Sequence, residues 1–250
     1  MTFEMKKWVI SRSKTLELLN RLAAAPDDDA VTLYLPTDLP SGEVQKILKK
    51  IPVPGDVRVD MTKTAMSSRT GAVIFWSPEV KYMLLPPFPF PDQIVSHTVN
   101  TLPLQTLLSK DYLIALVLVR LGSYGIGVYR GDRRVSSKVG TGLVHGRHRQ
   151  GGSSAHRFER HRDKQIEYFL TRVCQHAREQ LKPYVKSLDY IVYGGARTTV
   201  QLLRKQCSLL ENLKTPALPP LLDIPEPRQK VLETGIMRVW STNVYEWCED

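Results

Sequence analysis

Residues 112–129 read YLIALVLVRLGSYGIGVY, and this stretch decides the fold of the second half of the chain. It contains seven consecutive apolar residues, Leu113–Val119, which is the length and composition of a buried strand. Tyr124–Tyr129 predicts a second strand, because Leu121-Gly122-Ser123 forms a short hairpin connection to it. Arg133–Val139 then alternates as a third strand. The sequence therefore predicts three hairpin-linked strands.

Helical and strand patterns continue toward the C-terminus. The longest helical signal is Ser154–Leu181, whose apolar residues fall on one stripe. A strand, a helix and a further strand follow it, which predicts a mixed β-sheet covered by helices, an α/β fold. The predicted elements are a strand at Asp189–Tyr193, a helix at Thr198–Leu213, a proline-rich loop at Pro216–Pro227 and a last strand at Gly235–Trp240.

The first hundred residues predict a smaller α/β unit. Pro86–Pro91 contains four prolines, which remove backbone donors, so we expect a surface loop there. We place the boundary near Val99–Lys110, which gives an N-terminal α/β domain at 1–105 and a second domain at 106–250. The predicted elements are helices at Thr15–Ala24 and Ser41–Lys50 and strands at Val31–Leu35, Gly71–Trp76 and Tyr82–Leu85.

Composition excludes several classes of protein. Of 250 residues, 42% are hydrophobic and 24% are charged, which is typical of a globular chain. The longest apolar run has seven residues, whereas a membrane span needs about 20, and Met1–Arg12 has no signal-peptide core. Three cysteines without a C-x-x-C pair predict neither a disulfide framework nor a cysteine zinc site. We expect a cytoplasmic protein with no cofactor, no metal site and no membrane partner.

Positive charge is concentrated in one segment. The chain has 35 Lys and Arg against 25 Asp and Glu, a net charge of +10. Residues 130–164 hold ten basic and three acidic side chains, a net +7. Within them, 147–154 reads RHRQGGSS, which joins cations, flexible backbone and small polar side chains ahead of a helix N-terminus. Such a segment approaches phosphate closely, so we favour nucleic-acid binding over a merely solvated surface.

This segment resembles a known family. From His145-Gly146, through Gly151-Gly152-Ser153-Ser154-Ala155-His156-Arg157-Phe158, to Arg162, it is similar to the middle domain of archaeal and eukaryotic class-1 peptide-chain release factors. That domain reads approximately H-G-R-G-G-Q-S-A-x-R-F-x-R-x-R at this point. The resemblance covers about Asp111 to Trp240 and implies an RNase H-like fold. Leu121–Val128 and Ser137–Gly140 are more similar to the release-factor-like tRNA hydrolases of ribosome rescue and quality control, which include bacterial members.

The resemblance implies a peptidyl-tRNA hydrolase whose partners are tRNA and the peptidyl-transferase centre of the large ribosomal subunit. In release factors the catalytic glutamine directly follows the two glycines, but here Ser153 holds that place and Gln150 precedes them. The implied catalytic residues are Gln150, Gly151, Gly152, Ser153 and Ser154. The implied RNA-binding residues are Arg147, Arg149, Arg157, Arg160, Arg162 and Lys164.

Two other functions stay open. The same loop could cleave tRNA near its 3′ end, with His145, His148 and His156 as acid–base candidates, because imidazole changes charge near neutral pH. Alternatively, the loss of glutamine at Ser153 could leave a non-catalytic ribosome- or RNA-binding surveillance factor. The three functions differ in which bond, if any, is broken.

Overall fold

The computed structural model describes residues 3–24, 29–37, 39–146 and 155–249. The chain divides into two compact units, Met1–Lys110 with Arg238–Asp250, and Asp111–Met237. The sequence analysis placed the boundary after residue 105 and kept the C-terminus in the second domain. The difference arises because the last strand pairs within the N-terminal sheet, a long-range pairing that no local pattern encodes.

The part of the chain described contains eight α-helices and eleven strands. The first unit contains β1 (Phe3–Ile10), α1 (Arg12–Ala24), β2 (Val31–Leu35), α2 (Ser41–Leu48), α3 (Gly55–Ser67), β3 (Ala72–Trp76), β4 (Lys81–Leu85), β5 (Ile94–Ser96) and α4 (Leu102–Ser109). The remaining elements are β6 (Leu113–Arg120), β7 (Ser123–Arg130), β8 (Arg133–Thr141), α5 (Ala155–Leu181), β9 (Tyr190–Gly195), α6 (Arg197–Gln206), α7 (Ser208–Glu211), β10 (Ala217–Leu222), α8 (Gln229–Val239) and β11 (Thr242–Glu249).

The first unit is a six-stranded sheet in the order β1-β11-β4-β3-β2-β5, in which every pairing is antiparallel. Residues of α2 and α3 bury one face, and residues of α1 and α4 bury the other. The predicted proline loop lies between β4 and β5 and forms neither helix nor strand. Its Phe88, however, is fully buried against Trp240, with ring centroids 4.6 Å apart. The loop is therefore anchored in the core and is not purely a surface feature.

The second unit is a five-stranded mixed sheet in the order β10-β9-β6-β7-β8. The β6–β7 and β7–β8 pairs are antiparallel, and β9 pairs in parallel with both β6 and β10. The hairpin residue Gly122 has a φ of +97°, a conformation that favours glycine. The predicted α/β class, a mixed sheet covered by helices, is confirmed.

The two faces of this sheet are covered by different helices. Residues of α5 and α6 pack on the face that carries Ala115, Val117 and Val119. On the opposite face, a Cβ placed on Gly125 would lie 3.2 Å from the Leu232 side chain of α8. Strand β6 is therefore buried on both sides, which explains why its sequence is continuously apolar instead of alternating.

Three sequence predictions in this unit are wrong or incomplete. Gly235–Trp240 was predicted as a strand but lies mostly in α8, where Gly235 packs against β6. Pro216–Pro227 was predicted as a loop but contains β10, which pairs with β9. Prolines suit such a position because β10 is an edge strand, where missing N–H donors cost little. The predicted helix at Thr198–Leu213 divides into α6 and α7.

A disulfide joins Cys174 of α5 to Cys207, which directly precedes α7. Their Cα atoms lie 5.3 Å apart, and both side chains are buried in the core beneath α5. The sequence analysis expected no disulfide framework, because the cysteines are far apart in the chain and form no short motif. Packing of α5 against α6 and α7 brings them together, so this pairing is a tertiary feature.

Candidate functional site

The chain passes from β8 to α5 through a segment that starts at Gly142. Its backbone N–H donates a 2.8 Å hydrogen bond to the Gly122 carbonyl in the β6–β7 turn. A Cβ at Gly142 would lie 2.6 Å from Cδ2 of Phe169 and 2.8 Å from Nη2 of Arg172. The backbone therefore lies directly on α5, and only glycine leaves room for this approach.

Side chains of α5 hold this segment by its backbone. The N–H of His145 donates a 3.1 Å hydrogen bond to Oε1 of Gln165, and Nε of Arg162 donates a 2.9 Å bond to the His145 carbonyl. Arg172 donates to the carbonyl of Thr141, at the end of β8. We call these contacts of Gln165, Arg162 and Arg172 the α5 clamp. It fixes the path of the chain immediately before residues 147–154.

The α5 clamp lies some distance from the beginning of the helix. At 1.5 Å per residue, Arg162 is about 10 Å along the axis from Ala155, and Gln165 is about 15 Å. The chain therefore leaves the described residues at Gly146 beside the third turn of α5 and is described again at Ala155.

The predicted catalytic residues fall between these two points. Gln150, Gly151, Gly152, Ser153 and Ser154 lie outside the described residues, together with Arg147, His148 and Arg149. The backbone of His156 belongs to α5, but its side chain is not among those described. Their assignments stay predictions.

The remaining predicted residues lie on or beside α5. Arg157, Arg160 and Lys164 are exposed, as is His145. Arg162 is half-buried, because it reaches back to the His145 carbonyl. The structure thus brings Arg162 and His145 together through the backbone and gives Arg162 a structural contact that the sequence analysis did not expect.

Sequence reasoning missed the neutral members of this arrangement. Gln165 and Gly142 carry no charge and match no catalytic motif, so a search for cations passed over both. One signal was available for Gln165, since it follows Arg162 by three residues and therefore lies near it on the helix surface.

The electrostatics of this end of α5 favour anions. A helix N-terminus carries partial positive charge from its unsatisfied N–H groups, and acidic side chains usually compensate for it. The first turn of α5 has no acidic residue and contains Arg157 instead. The positive charge of the side chains therefore adds to that of the helix terminus, which is unfavourable for the isolated helix and favourable for a bound phosphate.

A second polar cluster anchors the far end of α5. The His176 ring stacks on Tyr124 of β7, with centroids 5.6 Å apart and an interplanar angle of 15°. Its Nδ1 lies 2.8 Å from Oε2 of Glu179, and this hydrogen bond to His176 is the main reason that the pKa of Glu179 is lowered. Burial raises the pKa of Tyr124. Because His176 is about 30 Å along the helix from Ala155, this cluster belongs to the packing of α5.

The described residues contain neither a metal-binding cluster nor a membrane-spanning helix. No group of three or more His, Cys, Asp or Glu side chains in them could hold a metal ion. No helix in this part of the chain has the length and apolar character needed to cross a membrane.

A mixed sheet bearing a long helix with a basic N-terminal end is the arrangement that the resemblance to release factors implied. The sequence profile of a family described as Actinobacteria/chloroflexi VLRF1 release factor (acVLRF1) matches residues 112–245, more than half of the chain. The chain therefore belongs to this release-factor family. The predicted membership of the release-factor superfamily, with bacterial relatives, is confirmed.

Archaeal proteins are also similar to this chain. The peptide chain release factor subunit 1 of Archaeoglobus fulgidus is 36% identical over 97 residues, covering 39% of this chain and 24% of the relative. The Aeropyrum pernix protein of the same name is 22% identical over 264 residues, covering 93% and 70%. The crystal structure of the archaeal translation termination factor aRF1 covers 92% of this chain and 73% of its own, at 20% identity and a TM-score of 0.37. The chain spans about a quarter of the length of the Archaeoglobus relative.

Proposed function

We propose that this protein acts at the ribosome as a peptidyl-tRNA hydrolase, through residues 147–154. Membership of a release-factor family supports action on ribosomal complexes. The observation that carries the proposal is the α5 clamp, which holds the backbone N–H and the carbonyl of His145 and so fixes the chain just before residues 147–154. A clamped base makes the placement of a short catalytic segment reproducible, and placement contributes most to such a reaction.

The reaction is hydrolysis of the ester between the nascent peptide and the 3′-terminal ribose of tRNA. Water attacks the ester carbonyl, the bond to the ribose oxygen breaks, and that oxygen leaves with a proton from the water. We assign to this chain the delivery of residues 150–154 into the peptidyl-transferase centre. The amide of Gln150 or a backbone N–H near Ser153 would stabilise the developing negative charge, and one such donor contributes roughly 3–4 kcal/mol. Glycines at 151 and 152 permit the close approach.

The basic residues contribute binding. Arg157, Arg160 and Lys164 are exposed on α5, and Arg147 and Arg149 precede the glycines in sequence. In this proposal they contact phosphates of tRNA or ribosomal RNA without reading base sequence. Such contacts position the factor, and the ribosome supplies most of the catalytic environment.

Two observations point to the alternative functions, which are binding without peptide release and cleavage of tRNA. Ser153 occupies the position of the release-factor glutamine, which favours a factor that binds without releasing peptide. His145 is exposed beside the loop, and with His148 and His156 it could support cleavage of the tRNA backbone instead of the ester. The three activities leave different tRNA products.

The test is to incubate the purified protein with ribosome-bound peptidyl-tRNA and to resolve the tRNA on a sequencing gel. Released peptide with an intact tRNA 3′ end is the expected result. Released peptide with a shortened tRNA would replace hydrolysis by nuclease action, and bound protein without released peptide would replace it by surveillance binding. Gln150→Ala removes the side-chain amide and Ser153→Pro removes the backbone N–H of that residue, so only the variant that lacks the donor in use releases peptide more slowly.

A further inference from the structure

Two exposed apolar side chains lie together beside the α5 clamp. Tyr168 is 75% exposed and Leu143 is 73% exposed, the highest values among the large hydrophobic residues described. Both line an open depression of about 340 Å³, together with Phe169, Gln165, Arg172 and Gly142. A ring and an aliphatic side chain around a depression offer a surface on which a planar group could stack.

In the N-terminal half of α5, several basic residues lie on the same side of the helix as Tyr168 and the acidic residues lie away from it. With 100° of rotation per residue, Arg157, His161, Lys164 and Arg172 all lie within about 40° of Tyr168 around the helix axis. The three acidic residues of this half of α5 lie about 100° or more away from it; they are Glu159, Asp163 and Glu167. We call the segregated set the α5 stripe; it consists of Arg157, His161, Lys164, Tyr168 and Arg172.

We infer that the α5 stripe binds single-stranded RNA, with an unpaired base stacked on Tyr168 and phosphates along the cationic side chains. Proteins that hold single-stranded nucleic acid combine a positively charged track with aromatic rings, because every base has a face that stacks. An aromatic residue flanked on both sides by cations, with the acids turned away, has this composition. An acidic protein partner would match the cations but would leave the exposed ring without a planar ligand.

The depression is held in shape by the same contacts that form the α5 clamp. Arg172 is fixed by its bond to the Thr141 carbonyl, and Gln165 by the His145 N–H. Phe169, the residue after Tyr168 on α5, is buried and packs against Gly142. A platform that is already ordered loses less entropy when a ligand binds, so it binds more tightly. Tyr168 and Leu143 stay exposed on this surface.

This inference rests on the proposed function, because that function makes RNA the partner, but it concerns a contact outside residues 147–154. Tyr168 is about 20 Å along the axis from Ala155, which separates the stacking platform from the segment proposed for catalysis. In the complex, the platform would hold an unpaired nucleotide of tRNA or ribosomal RNA while residues 150–154 act elsewhere.

The test measures binding of the full-length protein to a short single-stranded RNA that carries 2-aminopurine, whose fluorescence falls when the base stacks. Tyr168→Ala is expected to weaken binding about tenfold and to abolish the quenching, because one base–aromatic stack has roughly that effect. Tyr168→Phe keeps the ring and should bind like wild type. Leu202→Ala removes a half-exposed leucine on α6 and serves as the matched control.

Two results would overturn the inference: Tyr168→Ala binding and quenching like wild type, or RNA duplex of the same length binding as tightly as the single strand. The assay contains no ester bond, so it is independent of hydrolysis. If wild-type protein releases no peptide but Tyr168→Ala loses RNA affinity, the proposed function fails and the platform stands. If peptide is released and Tyr168→Ala binds RNA like wild type, the proposed function stands and the stacking platform is refuted.

Discussion

Gln165 accepts a 3.1 Å hydrogen bond from the backbone N–H of His145, twenty residues away in sequence, and so ties the chain to α5 just before residues 147–154. Arg162 holds the carbonyl of the same residue. One residue is therefore fixed at both its donor and its acceptor by one face of α5.

Gln165→Ala should slow peptide release by about tenfold or more, because misplacing a catalytic segment by an ångström costs on the order of a hundredfold. The free energy of unfolding should fall by only about 1 kcal/mol, since one hydrogen bond at the surface is lost. Gln165→Glu keeps an acceptor oxygen and should release peptide much faster than the alanine variant. Equal release by both variants would show that the contact is dispensable.

Gly142→Ala should lower the free energy of unfolding by about 1–3 kcal/mol, because the added Cβ overlaps the Phe169 ring and the Arg172 guanidinium. Urea denaturation measures this. Gly146→Ala is the matched control in the same segment, since no atom of the described residues lies within 4 Å of its Cβ position. We expect a change within about 0.5 kcal/mol there. A stable Gly142→Ala protein would contradict the packing described.

Replacing Arg157 and Lys164 together by alanine should weaken binding to ribosomes or tRNA. It should also reduce the slope of log affinity against log salt by roughly 1.5, about 0.7–0.9 for each phosphate contact. The matched control replaces Lys182 and Lys186, two exposed lysines beyond the other end of α5. If affinity at low salt is unchanged in the Arg157 and Lys164 variant, this end of α5 is not the contact surface.

The Glu179 carboxylate should contribute stability that depends on pH. Its pKa is lower in the folded protein than the ordinary 4.5, chiefly because of the hydrogen bond to His176. Its contribution is therefore present above about pH 4.5 and is lost as the pH falls through the lowered pKa. Glu179→Gln should be less stable than wild type at neutral pH and equal to it in acid. His176→Phe keeps a ring against Tyr124 but cannot bond to Glu179. This variant should therefore also lose the pH-dependent stability that the Glu179 carboxylate contributes.

Tyr129→Phe should leave the free energy of unfolding unchanged or raise it by up to about 1 kcal/mol. Its hydroxyl is buried without a hydrogen-bond partner among the described residues, and burial raises its pKa to about 12. Tyr34→Phe is the comparison, since that hydroxyl donates to the Asn100 carbonyl at 2.8 Å and accepts the Leu104 N–H at 3.3 Å. It should cost about 1–3 kcal/mol. Equal losses for the two variants would contradict the assignment.

Much of the second unit could be predicted from its sequence, because its signals are local. An apolar run, a short turn with Gly122 and an alternating strand fix the β6–β7–β8 meander within about thirty residues. The helical spacing of the apolar residues in α5 likewise predicts the helix and its buried face. The concentration of basic residues before and within α5 also indicated the end of the helix at which we propose the function.

The sequence by itself determined the local elements, the mixed character of the second sheet, the basic segment and the family. Tertiary structure decided the rest. Strand β1 lies mostly at the surface, and no local pattern predicted it; it exists because β11, more than two hundred residues later, supplies its hydrogen bonds. Gly235 is tolerated within α8 because its missing side chain lets the helix lie against Leu116. Gln165 reaches His145 only once β8 and α5 are packed. A propensity acts over a few residues, whereas these contacts depend on burial summed over distant segments, which no short window of sequence contains.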